Sequence, residues 1–467
     1  MVRHQVVGAS VGCLLTLALA CSGCGLPPGG HPAAGPASTS ASIPSARPGT
    51  SKVSRPAASP ASLSCPARVF SRMTTAQRAG QLFMVGIADE PSSQVAGAVA
   101  ADHFGSLFVG TTATDSLAEI RRVTAADQSL ASAAATARVR FFISADQEGG
   151  EVQRLRGPGF TAIPSAVAQG ELASGMLRRD ASEWGRELRQ AGLNLDLAPV
   201  MDVVPPGTAG RNQPIGALLR EYGSDPETVA AHGVAFIRGM RQAGVATSAK
   251  HFPGLGRVTG NTDLTAGVVD PVTAPGDPYL GSFQAAIDAG VPFVMVALAS
   301  YPRIDARHLA VFSSRTMRVL LRQQMHFGGV IVSDDMGAAA AVASLSPAVR
   351  AIGFLAAGGD MIVSVSLPAA AAMAAAVLRR MNHDPAFRSE VDSAVMRVLT
   401  AKQAYGLLPC RLRGPAVQEG RVLGRHVRSG RPRRPGSGTP PRTRSRPGSG
   451  RAASAPASPS RAAPDHG

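Results

Sequence analysis

Cysteine and long apolar runs are scarce in this chain of 467 residues, and each scarcity excludes a class of protein. Five cysteines, without the Cys/His spacing of a zinc site, cannot supply a disulfide-built or zinc-built fold. After the N-terminus, no stretch approaches the roughly 20 uncharged apolar residues that a spanning helix needs, which excludes a multi-span membrane protein. Heptads are absent and the 51 glycines follow no period, so a coiled coil and a collagen-like protein are excluded as well.

Acidic residues are scarce at the two ends of the chain. Residues 1–65 carry four basic side chains and no acid, and residues 411–467 carry thirteen Arg against Glu419 and Asp465. The 345 residues between them hold 30 basic and 29 acidic side chains, so +15 of the net charge of +16 belongs to the ends. We expect no nucleic-acid partner, because the basic tail offers no aromatic residue on which bases could stack. Attraction to anionic lipid or wall polymer, or no selected role, remains open for this tail.

The N-terminus has the pattern of an export signal. Arg3 and His4 precede an apolar run over residues 6–20, which is typical of a signal peptide. Small and apolar residues before Cys21 resemble a bacterial lipobox, with Cys24 as a second candidate for lipid attachment and ordinary signal cleavage as the alternative. Residues 21–65, rich in Pro, Ala and Ser, are then expected to form a disordered tether. This predicts a lipoprotein anchored on the outer face of the cytoplasmic membrane.

The body, residues 66–410, repeats an alternation of strand and helix. Ala- and Arg-rich stretches with helical spacing separate most of the apolar segments, and this alternation predicts an α/β fold, a single (β/α)8 TIM-type barrel. An open doubly wound sheet is disfavoured, because no Gly-rich phosphate fingerprint follows the first segment. Residues 411–467 are expected to form a disordered tail. The predicted strands are residues 81–87, 105–110, 140–146, 194–203, 246–253, 293–299, 328–335 and 358–365.

Polar residues gather at the ends of four predicted strands. They are Asp146 to Glu148 on the third strand, Asp202 on the fourth, Lys250 and His251 on the fifth, and Asp334 and Asp335 on the seventh. Each Asp alone could cap the following helix, but four such strand ends together predict a site at the carboxyl end of the barrel. Two carboxylates facing each other, with Lys, His and Arg nearby, suit cleavage of a glycosidic bond.

Cys65 and Cys410 bracket the body. The ends of a closed barrel lie near each other, so an oxidising compartment could join these two cysteines. A disulfide and two unrelated thiols remain equal alternatives at this point.

Four motifs carry a family resemblance: Asp146-Gln147-Glu148-Gly149-Gly150 with Val152-Gln153-Arg154, Asn194 to Val200, Lys250-His251-Phe252-Pro253-Gly254, and Val332-Ser333-Asp334-Asp335-Met336. In this order, along residues 77–406, they resemble glycoside hydrolase family 3, specifically the single-domain β-N-acetylhexosaminidases that act on peptidoglycan fragments. The resemblance implies a retaining hydrolase with a covalent glycosyl-enzyme intermediate. No metal or other cofactor is expected, the substrate is an aminosugar glycan or muropeptide, and we expect a monomer.

The resemblance also assigns roles to individual residues. It makes Asp334 the nucleophile that forms the covalent intermediate. It makes five residues binders of the sugar: Asp146, Arg154, Arg220, Lys250 and His251.

One motif departs from the family pattern. Relatives carry Asp-Ser-His on the loop after the fifth strand, where the His is the general acid/base, whereas this chain has Asn261-Thr262-Asp263. Asp263 could be the proton donor, with its pKa raised by desolvation and by a neighbouring carboxylate, and with Asn261 bonded to it. Alternatively the acid/base is lost, or another residue takes its place. A β-glucosidase and a non-catalytic muropeptide-binding lipoprotein therefore stay open as alternative functions.

Overall fold

The structure is a computed structural model that describes residues 63–87 and 92–410 of the chain. The predicted signal peptide, the lipid attachment at Cys21 or Cys24 and most of the tether lie outside the described residues, as does the basic tail 411–467. In the part that is described, no helix is long and apolar enough to cross a membrane.

Eight parallel strands close into one barrel, which confirms the predicted fold class. Each neighbour pair follows the chain order, from β1 beside β2 round to β8 beside β1. Every predicted strand segment contains one of them, although the fourth segment is mostly loop beyond its first residues. The strands are β1 Phe83–Ile87, β2 Ser106–Val109, β3 Phe142–Ala145, β4 Leu195–Asp196, β5 Ala246–Phe252, β6 Phe293–Val296, β7 Val330–Asp335 and β8 Met361–Ser364.

Helices surround the barrel, and most begin at a side chain that caps the helix N-terminus. Asp225 before Pro226 and Ser346 before Pro347 each accept a backbone N–H three residues on, which satisfies one of the first free donors of the helix. The α-helices are α1 Cys65–Phe70, α2 Thr75–Gly80, α3 Ser93–Asp102, α4 Leu117–Ser129, α5 Ala133–Thr136, α6 Ala166–Gly170, α7 Ser174–Gln190, α8 Pro226–Gln242, α9 Gly281–Asp288, α10 Pro347–Ala357, α11 Leu367–His383 and α12 Pro385–Ala404, with a π-helix at Arg315–Gln324.

The barrel is closed at the amino ends of its strands. Phe142 packs edge-to-face on Phe293 with ring centroids 5.2 Å apart, and the fully buried Lys402 of α12 reaches in beside them. Its Nζ donates to Oε1 of Gln81 at 2.8 Å and to the carbonyl of Gly105 at 2.6 Å. Burial lowers the pKa of Lys402 to about 7. A ligand can therefore enter only from the opposite, carboxyl ends of the strands.

A disulfide joins Cys65 at the start of α1 to Cys410 after α12, with Cα atoms 6.1 Å apart. Of the two alternatives that the sequence leaves open, a disulfide and a pair of unrelated thiols, the structure has the disulfide. The bond closes a separation of 345 residues and ties α1 to the last helix, which packs against it.

Removing the disulfide should destabilise the barrel without altering the cleft. Because the bond restricts the unfolded chain over nearly the whole body, Cys65→Ser with Cys410→Ser should lower the free energy of unfolding by about 2 to 5 kcal/mol. Urea titration of the double variant, beside the wild type with and without reductant, checks this. Equal midpoints for all three samples would contradict it.

Candidate active site

A cleft of about 400 Å³ opens at the carboxyl ends of the strands. Its walls come from the ends of several strands, among them β3, β5 and β7, and from the loops that follow β3, β4, β5 and β7. The structure brings all seven of the predicted site residues to this one cleft: Asp146, Arg154, Arg220, Lys250, His251, Asp263 and Asp334.

One wall of the cleft is a chain of alternating charges. Nζ of Lys250 lies 2.6 Å from Oδ1 of Asp146 and 2.6 Å from Oε1 of Glu148. Arg220 donates through Nε and Nη2 to both oxygens of Glu148, at 2.8 and 2.7 Å. Nε of Arg154 lies 3.9 Å from Oδ2 of Asp146. Four of these groups line the cleft, and they offer a ligand both donors and one carboxylate.

Glu148 lies behind this wall and is buried. Burial by itself would raise its pKa, but the positive charges of Arg220 and Lys250 outweigh burial and hold the pKa at about 2. Burial likewise opposes the charge of Lys250, yet Asp146 and Glu148 raise its pKa overall. Glu148 is therefore a permanent counter-ion that fixes two cations.

Replacing Glu148 should damage stability and binding together. Glu148→Gln leaves the buried Arg220 without its counter-ion and Lys250 with Asp146 alone, so the free energy of unfolding should fall by about 3 to 5 kcal/mol. The sugar-binding cations should also lose their positions, which raises KM more than it lowers kcat. Denaturant unfolding and steady-state kinetics measure the two effects, with the exposed Glu151→Gln as the matched control. Wild-type stability in Glu148→Gln would contradict the assignment.

His251 is oriented by Asp202, which is fully buried. Nδ1 of His251 lies 2.8 Å from Oδ2 of Asp202, and Oδ1 of the same carboxylate accepts the backbone N–H of Leu255 at 2.8 Å. The contact fixes the imidazole so that Nε2 is the ring nitrogen available to a ligand. Asp202 and Glu148 were not among the predicted site residues, although both stand at the predicted strand ends that revealed the site.

Asp334 lies at the end of β7, partly buried in the floor of the cleft. Its Oδ1 accepts the backbone N–H of Asp335 at 2.8 Å. Burial, with a contribution from the negative charge of Asp263, raises the pKa of Asp334 to about 6, although His251 and Lys250 act in the opposite direction. The carboxylate is therefore ionised at neutral pH and poorly solvated, a state suited to a nucleophile.

Asp335 has a different environment, as strand alternation predicts. Oδ1 accepts the backbone N–H groups of Gly337 and Val365 at 2.9 and 3.0 Å, and Oδ2 accepts that of Ala338 at 2.8 Å. Both oxygens are engaged in holding the turn after β7, which steadies the neighbouring Asp334.

The loop after β5 brings Asp263 to the cleft, but two expectations about it are wrong. The side chain of Asp263 is exposed, so the desolvation invoked for it is absent. Oδ1 of Asn261 accepts the backbone N–H of Asp263 at 2.9 Å, so Asn261 builds the turn and does not bond the carboxylate. The carbonyls of Thr262 and Asp263 accept the N–H groups of Ala341 and Ala340 at 3.0 and 3.1 Å. The loop is thus fastened to the segment after β7.

The loop also limits which groups could replace the missing histidine. Among the described residues that line the cleft, the carboxylates are Asp146, Asp263, Asp334 and Asp335. Asp146 is bound to Lys250, and Asp335 is engaged by backbone donors, so Asp263 is the carboxyl group that, besides Asp334, remains accessible to a ligand in the cleft. No group of three or more His, Cys, Asp or Glu residues forms a metal site in residues 63–87 and 92–410.

Comparisons with known proteins agree with this arrangement. Residues 74–401 match the family model described as glycosyl hydrolase family 3 N terminal domain. A β-hexosaminidase of Methylococcus capsulatus is 36% identical over 57% of this chain and 79% of its own length. The crystal structure of a β-N-acetylhexosaminidase from Beutenbergia cavernae is 47% identical, with a TM-score of 0.70 over 71% of this chain and 99% of that one. A family 3 β-N-acetylglucosaminidase from Paenibacillus is 28% identical with a TM-score of 0.65, over 74% of this chain and 65% of that one. The chain belongs to glycoside hydrolase family 3, and it is a glycosidase.

Proposed function

We propose that this glycosidase is a retaining β-N-acetylhexosaminidase that removes terminal β-linked N-acetylglucosamine from peptidoglycan-derived fragments. The observation that carries the proposal is the placement of the partly buried Asp334 in the same cleft as the accessible Asp263 and the charged wall around Lys250. The β-hexosaminidase relatives support the aminosugar as substrate.

The proposed reaction has two steps. An oxygen of Asp334 attacks the anomeric carbon, a covalent ester forms, and the glycosidic bond breaks while Asp263 gives its proton to the departing oxygen. Asp263, now a carboxylate, then takes a proton from a water molecule that attacks the ester, and the sugar and free Asp334 are released. The sugar hydroxyls are held during both steps by five side chains, those of Asp146, Arg154, Arg220, Lys250 and His251.

A comparison of substrates tests the proposal. Turnover of p-nitrophenyl N-acetyl-β-D-glucosaminide should exceed that of the matching β-glucoside by at least about 100-fold, because a site that bonds the acetamido group loses those bonds with glucose. Release of N-acetylglucosamine from purified muropeptides should accompany it. Faster glucoside turnover would favour the β-glucosidase, and muropeptide binding without any turnover would favour a non-catalytic binder.

We further propose that the chain is anchored through a lipid on Cys21. Support comes from the small and apolar residues that precede Cys21 and from the Pro-, Ala- and Ser-rich stretch that follows it. Metabolic labelling with a fatty acid should mark the wild type and Cys24→Ser but not Cys21→Ser. Label retained by Cys21→Ser and lost from Cys24→Ser would move the anchor to Cys24, and no label in any form would indicate ordinary signal cleavage.

A further inference from the structure

Two shallow concavities lined by arginine lie at the amino ends of the barrel strands. The first, of about 550 Å³, is lined by Arg68, Arg72 and Arg138 beside Cys410 of the disulfide. The second, of about 450 Å³, is lined by Arg140 and Arg189 together with Arg121 at its side. Neither concavity is part of the cleft that holds the glycosidase residues.

The two concavities form one continuous surface. The backbone N–H of Arg140 donates to the carbonyl of Leu407 at 2.9 Å, which joins the segment before β3 to the segment after α12. Leu407 lines the second concavity, and Cys410, three residues on, lines the first. We define the basic face as Arg68, Arg72, Arg138, Arg140 and Arg189.

The charges of the basic face are not neutralised within the described part of the protein. No Asp or Glu lines either concavity, and none of the five arginines takes part in an ion pair with a described residue. Arg68 donates only to the backbone carbonyl of Leu63, which leaves its charge uncompensated. Asp102, at the end of α3, lines neither concavity. All of the face except the half-buried Arg68 is exposed.

Arginines elsewhere on the body are either paired, as Arg78 is with Asp392 and Arg397 with Asp360, or exposed with no ion pair to a described residue, as Arg179 is. What distinguishes the basic face is that its five arginines surround two adjoining concavities that no described Asp or Glu lines. Residues 66–410 carry almost equal numbers of acids and bases, so these five positive charges are a local excess that the overall charge of the body does not reveal. The cleft with its four aspartates lies at the opposite end.

We propose that the basic face binds an anionic lipid bilayer and turns the catalytic cleft away from the membrane. Each Arg held near an anionic bilayer strengthens partitioning by about fivefold. The strand polarity supports this orientation, because Arg140 precedes the start of β3 and Arg189 lies in the last turn of α7, whereas Asp334 ends β7. The substrate would then approach from the side of the cell wall, away from the membrane.

The points at which the chain enters and leaves the barrel favour a lipid bilayer over a cell-wall polymer as the partner of the basic face. The described chain enters at Leu63 and leaves at Cys410, and both ends are held at the basic face by the contact of Arg68 and by the disulfide. The thirteen arginines of residues 411–467 continue from there. The choice of a bilayer rests on the proposed anchor at Cys21, but the charge of the face does not.

Vesicle binding by residues 63–410 tests the proposal without the anchor or the basic tail. This segment can be used alone, because the Beutenbergia relative consists of a comparable barrel and is matched over 99% of its length. Vesicles of phosphatidylglycerol and phosphatidylcholine at 3:7 should bind the wild type at least about tenfold more tightly than vesicles of phosphatidylcholine. Substitution of the five arginines of the basic face by Gln should remove at least tenfold of that binding.

A control of equal charge makes the result specific. Gln at the exposed Arg179, Arg238, Arg307, Arg315 and Arg379 removes the same charge elsewhere and should change vesicle binding by less than twofold. Turnover of the p-nitrophenyl substrate should be unchanged in both variants, which shows that they fold and separates this test from that of the glycosidase activity. Equal losses in the two variants would overturn the proposal. Loss of binding to isolated cell wall but not to vesicles would overturn it in favour of a wall polymer.

Discussion

Asp334→Ala should lower kcat/KM for p-nitrophenyl N-acetyl-β-D-glucosaminide by roughly 10⁴- to 10⁶-fold, the scale seen when a covalent nucleophile is removed. Asp334 occupies the floor of the cleft at the end of β7, and the residues of the charged wall do not contact it through any hydrogen bond that the structure records. The loss should therefore fall on kcat, while binding of N-acetylglucosamine, measured by calorimetry, should stay close to the wild-type value.

A chemical control distinguishes a missing nucleophile from a damaged cleft. Removal of the carboxylate leaves a space in which a small anion such as azide can attack the anomeric carbon directly. Added azide should restore part of the turnover of Asp334→Ala and give a glycosyl azide of inverted configuration. Rescue should be absent in the wild type. Retention of more than about one tenth of wild-type activity by Asp334→Ala, with no need for azide, would contradict the assignment of the nucleophile.

The pH profile provides an independent check on Asp334. Attack requires the ionised carboxylate, and its pKa is raised to about 6 by burial and by the nearby Asp263. For a dinitrophenyl glycoside, whose leaving group needs no proton, kcat/KM should begin to fall near pH 6 as the pH is lowered and then drop about tenfold per pH unit. In Asp263→Asn one cause of the raised pKa is removed, so this acid limb should move to lower pH. An acid limb that stays in place would contradict the coupling of the two carboxyl groups.

The barrel could be predicted from the sequence because its strands are short apolar segments that tolerate few polar residues. Each of the eight predicted segments contains a strand, from Phe83–Ile87 to Met361–Ser364. The positions of the site residues followed from the same pattern, since polar groups at strand ends must meet at one end of a parallel barrel. The pattern alone predicts that Asp146, Lys250 and Asp334 lie at the carboxyl end of the barrel.

What the sequence could not supply were the partners of each charge. Glu148 and Asp146 are both strand-terminal acids, yet only the folded structure shows that Glu148 faces Arg220 behind the wall while Asp146 faces the cleft. Such a difference depends on side-chain direction over a hairpin, Gln147–Gly149 with Val152–Gln153, which has no clear periodicity. The same holds for Asn261, whose bond to the backbone replaced the expected bond to a carboxylate.

The clustering of the arginines on the basic face could not be predicted from the sequence either. Its arginines come from α1, from the segments before Met73 and β3, and from α7, so no run of residues reveals them. Counting charges along the chain gives a neutral body. Only the closure of the barrel, helped by the disulfide between Cys65 and Cys410, places these residues side by side.

Asp263→Asn should reveal the acid through its dependence on the leaving group. General acid assistance matters most when the departing oxygen is basic, so turnover of disaccharide or muropeptide substrates should fall by about 100- to 10,000-fold. A dinitrophenyl glycoside, whose leaving group needs no proton, should form the covalent intermediate within about tenfold of the wild-type rate. The comparison of kcat/KM across aryl glycosides of increasing leaving-group pKa measures this directly.

The variant Asn261→Ala distinguishes the effect of displacing the acid Asp263 from the effect of removing it. Because Asn261 accepts the backbone N–H of Asp263, its loss should loosen the loop and weaken turnover of all substrates to a similar, smaller extent. Asp263→Asn keeps that contact, since the backbone is unchanged, and should therefore lower kcat/KM, which reports the first step, only for substrates with poor leaving groups. An Asp263→Asn variant that hydrolyses muropeptides as the wild type does would show that another group donates the proton, and an exposed carboxyl at the mouth of the cleft would then serve binding alone.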